Sequence, residues 1–160
     1  MPVDPGYLRQ VWRRFPTGVT VVTTRTAEGE PYATTANAVL SVSLDPPLLA
    51  LSVATAGNTC ANLRREGRFA VNFLRDDQSA IADFYGRAPW EERRRLPDAH
   101  AQHEQGMALF DEALAVMVCR IDRHVEAGDH TVFIAEIEEA DIRGEGEALV
   151  FYEGRYGRVT

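Results

Sequence analysis

The sequence has only two cysteines, Cys60 and Cys119, in 160 residues. They stand far apart, and no CxxC or HExxH spacing occurs, so neither a disulfide framework nor a zinc site is indicated. A metal is not expected. No run of about 18 apolar residues is present, which excludes a transmembrane helix. The opening MPVDPGYLRQVWRRF lacks the apolar segment of a signal peptide, so the chain is expected in the cytoplasm with both thiols reduced. Positive charge is also scarce. With 17 Lys+Arg against 24 Asp+Glu the net charge is −7, which argues against nucleic acid as a partner, because phosphate binding needs a concentrated positive field. There is no GxSxG, no Walker loop, no GxGxxG, no catalytic triad and no internal repeat.

What is there is an ordinary globular composition, 45% hydrophobic and 26% charged, long enough for one domain spanning residues 1–160. Pro5 to Phe15 reads as a helix whose Tyr7, Leu8, Val11, Trp12 and Phe15 form an apolar stripe. Thr17–Thr24, Leu48–Val53, Arg68–Leu74, Ala113–Glu126, Thr131–Glu139 and Ala148–Tyr152 read as strands. Tyr32 to Val42 reads as a strand feeding a loop, and Gly154 to Val159 as a trailing end. Helices are expected over Cys60–Glu66, capped by Asn58 or Thr59, and from Asp76 to about Tyr85. Gly86 to Gly106 is polar and reads as a surface excursion with little to offer a core. Six or seven short strands without βαβ alternation predict a mainly β fold, an antiparallel split β-barrel with a few short helices.

Four places could carry chemistry. Thr34, Thr35, Ala36, Asn37 and Ala38 combine small side chains with hydroxyl and amide groups, which suits a flat ligand against backbone. They suit a polar edge strand as well. Gly57, Asn58 and Thr59 open a helix, where free N–H groups attract phosphate, although every helix needs a cap. Gly128-Asp129-His130 makes a turn in which the histidine is not required by the backbone. Tyr152 to Tyr156, YEGRY, could stack on a ring or close the core. His100 and His103 have HxxH spacing with no third ligand, and Arg93-Arg94-Arg95 sits among acids and reads as a solvated face.

FPTGVTVVTT (Phe15–Thr24), TTANAVLSVSLDPPLL (Thr34–Leu49), NTCANLRREGRFAVNFL (Asn58–Leu74), ALAVMVCRIDRHVEAGDHTVFIAEI (Ala113–Ile137) and LVFYEGRY (Leu149–Tyr156) occur in one order over most of the chain. In that combination the sequence resembles the short-chain flavin reductases, the reductase components of two-component flavin-dependent monooxygenases. The resemblance implies a homodimeric split barrel that passes hydride from NADH or NADPH to FMN or FAD and supplies a separate monooxygenase component. It implies that Thr34 to Ala38 line the flavin ring, and that Ser52, Val53, Ala54, Gly57, Asn58 and Thr59 hold the ribityl and phosphate end. Phe84 and Tyr85 would approach the flavin, His130 would lie near the nicotinamide as the catalytic residue, and Tyr156 close by. The family's D-K-F step after the Phe84 region is replaced here by YGRAPWEERRRLP, in which Arg87, Arg93 or Trp90 could substitute. A flavoprotein with tightly bound flavin and its own organic substrate, or a non-catalytic flavin-binding module, are the alternatives.

Overall fold

The computed structural model describes residues 2–98 and 100–159. In chain order the elements are α1 (Pro5–Trp12), β1 (Thr17–Gly18), β2 (Thr20–Arg25), β3 (Pro31–Ala36), β4 (Val39–Leu44), β5 (Pro47–Ala54), α2 (Asn58–Glu66) and β6 (Arg68–Phe73). After them come α3 (Ser79–Arg87), β7 (His100–Gln102), β8 (Ala108–Phe110), β9 (Ala115–Ala127), β10 (His130–Ile142), β11 (Leu149–Tyr152) and β12 (Arg155–Arg158). Seven strands form one antiparallel sheet in the order β3-β2-β6-β9-β10-β5-β4.

The edge strands of that sheet are β3 and β4, yet only Asn37 and Ala38 separate them in sequence. Three Cα–Cα steps span at most about 11 Å, whereas seven strands laid flat are about 29 Å wide. The sheet must therefore curl until its edges meet. Register shifts in β4–β5 between Ser41 and Ser43, and in β9–β10 between Ile134/Ala135 and Ile137/Glu139, add the bending that closure needs. No ladder joins β3 to β4 among the described residues, so the barrel is split along this seam, as the strand pattern predicts.

Packing follows from the alternation of side chains. Val22, Leu49, Leu51, Phe69, Val71, Cys119 and Phe133 fill the interior with Cys60 and Leu63 of α2. Their neighbours Val21, Ala70, Val116 and Val118 face outward beneath Tyr85 of α3 and Leu109 and Phe110 of β8. Both faces of β2, β6 and the first half of β9 are thus covered, so these strands need apolar residues on both sides. Burial pushes the Cys119 thiol up to about 12, leaving it without thiolate character at neutral pH.

Three expectations change. Tyr32 to Val42 is two strands on opposite edges, not one strand and a loop, because the crossing residues Asn37 and Ala38 carry no apolar signal. Gly154 to Val159 does not trail away. The left-handed backbone of Glu153 and Gly154 turns it into β12, paired with β11. The helix α1 is where expected, with Asp4 accepting from the Tyr7 N–H at 2.8 Å, but its stripe enters no core of this chain: Tyr7 is 62% and Trp12 64% exposed.

One buried polar residue pins the outer layer. Asn72 is fully buried; its amide donates to Val21 O at 3.1 Å and Ala108 O at 3.3 Å, and its Oδ1 accepts from the Phe110 N–H at 2.7 Å. Truncation leaves that N–H without an acceptor inside the protein. Asn72→Ala is expected to lower unfolding stability by about 3 kcal/mol, read as a shift of the urea midpoint with unchanged slope.

Candidate functional site

The seam that splits the barrel opens into a cavity of about 460 Å³. Its walls are the β3–β4 crossing, the end of β5, the first turn of α2, the start of β10 and a short 3₁₀ turn at Glu92–Arg94. Thr34, Thr35, Ala36, Asn37 and Ala38 line it, as do Ser52, Val53, Ala54, Gly57, Asn58, Thr59 and His130. These residues are scattered over about 100 positions of sequence. The antiparallel register brings them together, setting His130 opposite Ala54 and turning the edge strand β3 toward the crossing.

Among the described residues no carboxylate lines this cavity, in a chain with 24 Asp and Glu. The cap of α2 is Gly57, not Asn58 or Thr59. It is extended (φ −84°, ψ 158°) and offers no side-chain acceptor to the first-turn N–H groups. Asn58 and Thr59 are instead the first two helical residues, so their own N–H groups are among the uncapped donors. With the helix dipole these make an anion site.

Arg93 adds a full charge. Its Nε donates to Ala88 O at 2.9 Å, and its Nη1 reaches Thr34 Oγ1 at 3.3 Å and the Tyr32 hydroxyl at 3.5 Å. Thr59 Oγ1 donates to the same hydroxyl at 3.4 Å. All of Arg93's partners are neutral oxygens, so among the described residues its guanidinium has no counterion. Its neighbour Arg94 pairs with Glu30 at 2.5 Å and lies 4.8 Å over the Trp90 ring. A planar, permanently charged fork without a counterion at the end of a carboxylate-free cavity suits a phosphate.

The polar stretch from Gly86 is therefore more than a surface excursion, since Trp90 and Arg93 both line the cavity. Reading the arginine run as a solvated face holds for the exposed Arg95; Arg94 is half-buried against Trp90 and Glu30, and Arg93 turns to the cavity. Adjacent residues in a tight turn point in different directions, which spacing in sequence does not reveal. Tyr32 was also missed. Its alternation with Thr34 along β3 was the available signal.

Three predicted residues lie elsewhere. Tyr85 is buried in the outer core, its hydroxyl donates to Arg95 O, and burial raises it to about 12. Phe84 packs edge-on against it at 5.0 Å. Tyr156 packs at a tilt against Phe151, 5.4 Å between ring centroids, on the outer core. None lines the cavity; each is spent on core packing, and Tyr85 acts on the site only by fastening the turn that carries Arg93. Thr35 lines it, but its hydroxyl donates to Ala82 O at 2.6 Å and holds α3.

His130 is held from both sides. The Thr55 N–H donates to Asp129 O at 3.0 Å, and the Thr55 and Thr131 hydroxyls meet at 2.8 Å, clamping the β9–β10 turn to the end of β5. The ring Nδ1 lies 2.7 Å from Asp129 Oδ1. With the Nδ1 proton shared there, Nε2 is left to meet a ligand. The histidine HxxH pair is split: His100 Nδ1 contacts Pro97 O, while His103 Nε2 lies 3.0 Å from Glu139. His103, Glu104 and Glu139 form a cluster, but the Gln105 N–H donates to His103 Nδ1 at 3.3 Å. That places the ring proton on Nε2, toward Glu139, in the pattern of a hydrogen-bonded clasp.

Residues 12–160 match the family described as flavin reductase like domain. The reductase component of 4-nitrophenol 4-monooxygenase/4-nitrocatechol 2-monooxygenase from Rhodococcus opacus is 34% identical over 159 residues, 99% of this chain and 83% of that protein. The NADH-dependent flavin reductase of a Rhodococcus species is 35% identical over 157 residues, 96% of this chain and 86% of its own. Among solved structures, the NADH:FAD oxidoreductase of Streptomyces globisporus C-1027 superposes with a TM-score of 0.90 at 35% identity, covering 100% of this chain and 98% of that one.

The Asp129–His130 contact has a measurable consequence. The hydrogen bond from His130 holds the Asp129 carboxyl below its ordinary value. A depressed carboxyl contributes above its unfolded pKa and loses that contribution as pH falls through the folded one. His130→Phe is expected to return Asp129 toward the usual carboxylate range, followed by its ¹³C carboxyl shift against pH. No upward move would mean that the contact does not form in solution.

Proposed function

The chain belongs to the flavin reductase like domain family, and from that premise we propose that it is an NAD(P)H:flavin oxidoreductase that hands reduced flavin to a separate monooxygenase. The observation that carries this reading is the carboxylate-free cavity with Arg93 and an uncapped helix start on its wall. Such a cavity fits a ligand that pairs a flat ring with phosphate, whether FMN or FAD. A bound flavin supplies the two-electron acceptor for the nicotinamide hydride.

The chain's own part is placement. Thr34 to Ala38 offer backbone and small side chains along the seam, so a planar ring can lie close to the main chain. Ser52 to Ala54 form the adjoining wall. The first turn of α2 and Arg93 take the phosphate end, and Tyr32 and Thr59 fix where that guanidinium sits. Peptide N–H groups near the ring would stabilise negative charge as it develops there, because preorganised donors need no reorientation. His130 stands across the cavity with Nε2 available to the nicotinamide of NADH or NADPH and helps to keep water from between the rings.

The anion site is built from uncapped N–H groups and one arginine, without a buried cluster of charges. That suits a flavin that arrives, is reduced and leaves. We place the protein in the cytoplasm, where Cys60 and Cys119, both buried and free, stay reduced. We also propose a homodimer. Tyr7, Leu8, Val11, Trp12 and Phe15 around α1, with Leu40, Val42 and Leu44 on the edge strand β4, are exposed apolar side chains. Patches of this kind mark association surfaces, and a second copy of the chain would cover them.

NADH consumption followed at its absorbance band is expected to be negligible without flavin and to appear when FMN or FAD is added. In the same assay His130→Ala is expected to lower turnover about ten-fold or more, while the flavin Kd stays within about two-fold. Absence of turnover with either flavin and either nicotinamide, from folded protein, would overturn the reading. For association, Leu8→Glu is expected to convert a dimer to a monomer in sedimentation velocity. A wild-type chain that sediments as a monomer would remove the dimer.

A further inference from the structure

Trp90 stands out on a segment poor in apolar residues. It is 41% exposed, lines the cavity and belongs to neither core cluster. A large ring left 41% exposed needs a reason; one contact meets the ring itself, and two hydrogen bonds fasten the turn that carries it. Arg94 lies 4.8 Å from the ring centroid and is itself anchored by Glu30 at 2.5 Å. The Arg93 Nε bond to Ala88 O ties the turn to its own start, and Tyr85 holds the Arg95 carbonyl at its far end. A side chain outside both cores is thus held on the wall of the cavity by a fastened turn.

Its neighbours indicate what it is presented to. Arg93 contacts Tyr32 and Thr34, and Tyr32 contacts Thr59 at the start of α2. Arg93 therefore belongs to the phosphate end, and Trp90, three residues earlier on the same turn, extends that end outward. FMN and a nicotinamide mononucleotide stop at a phosphate. FAD and NADH continue through a second phosphate to an adenine, whose π-face stacks well on an aromatic side chain.

We propose that Trp90 and Arg93 form a subsite for an adenosine diphosphate group, with adenine on the indole and the diphosphate on the guanidinium. The assignment rests on the reductase reading for its ligands, but not for its test. The group is carried by FAD and by NADH, and the two sources are separated by comparing each dinucleotide with its mononucleotide.

The experiment is calorimetric titration of wild type, Trp90→Leu and Trp90→Phe with ADP, FAD, FMN, NADH and reduced nicotinamide mononucleotide, each alone. ADP is expected to bind wild type, to lose about ten-fold in Trp90→Leu and to recover most of it in Trp90→Phe, which keeps a stacking face. FAD losing affinity in Trp90→Leu while FMN holds within about two-fold assigns the subsite to the flavin. The same contrast between NADH and its mononucleotide assigns it to the nicotinamide. Equal effects on dinucleotide and mononucleotide in both pairs, or no loss of ADP, would overturn the subsite. If ADP binding depends on Trp90 but neither FMN nor FAD supports oxidation of NADH or NADPH, the reductase reading falls and the subsite stands. If turnover is normal and Trp90→Leu changes no ratio, the reverse holds. Circular dichroism of both variants confirms folding, since Trp90 supports neither core.

Discussion

Asn37 and Ala38 cross from one edge of a seven-stranded sheet to the other, and the rest of the structure depends on that crossing. Two residues cannot bridge a flat sheet of that width, so closure follows from chain length. No ladder joins the two edge strands among the described residues, so the barrel keeps a seam. Into that seam open the start of α2, the end of β5 and the first residue of β10. A site built here has backbone at its walls, and backbone is what a flat polar ring can approach closely.

Charge is arranged around the same seam. The chain is acidic overall, with its acids on strand ends, turns and the outer hairpin, where arginines pair with many of them. Among the described residues no acid lines the cavity. Removing carboxylates is as much a part of an anion site as supplying a cation, because a nearby acid would hold the guanidinium that the ligand needs. Arg93 and Arg94 show the difference between neighbours. Arg94 is neutralised by Glu30 and serves as scaffold, while Arg93 meets only neutral oxygens.

The polar stretch after α3 changes its meaning once folded. By composition it cannot build a core, and that reading holds for most of it. Yet Tyr85 and Arg94 fasten it across β3, and two of its side chains reach the cavity. A segment with few apolar groups can still be placed precisely when a handful of hydrogen bonds and ion pairs fix a short turn. The same economy applies to Phe84, Tyr85 and Tyr156, aromatic residues that a site could use but that the outer core takes.

The cap of α2, the split of Tyr32–Val42 into two edge strands and β12 were not legible from sequence. Most of the strands, the GDH turn and the TTANA stretch were, because period-two alternation, β-branched runs, Gly turns and small polar residues act locally. From these, with the resemblance to flavin reductases, came the split barrel and the seam-lining residues. Local signals do not say which of two adjacent arginines turns inward, whether an apolar stripe meets its own core or is left exposed, or whether a buried tyrosine serves a ligand or a carbonyl. Tertiary structure alone decided Tyr32 and the exposed face of α1, and it chose Arg93 and Trp90 over Arg87 among the substitutes that the resemblance offered. Each depends on which distant strand or turn lies alongside, and that is fixed only when the sheet curls and its edges meet.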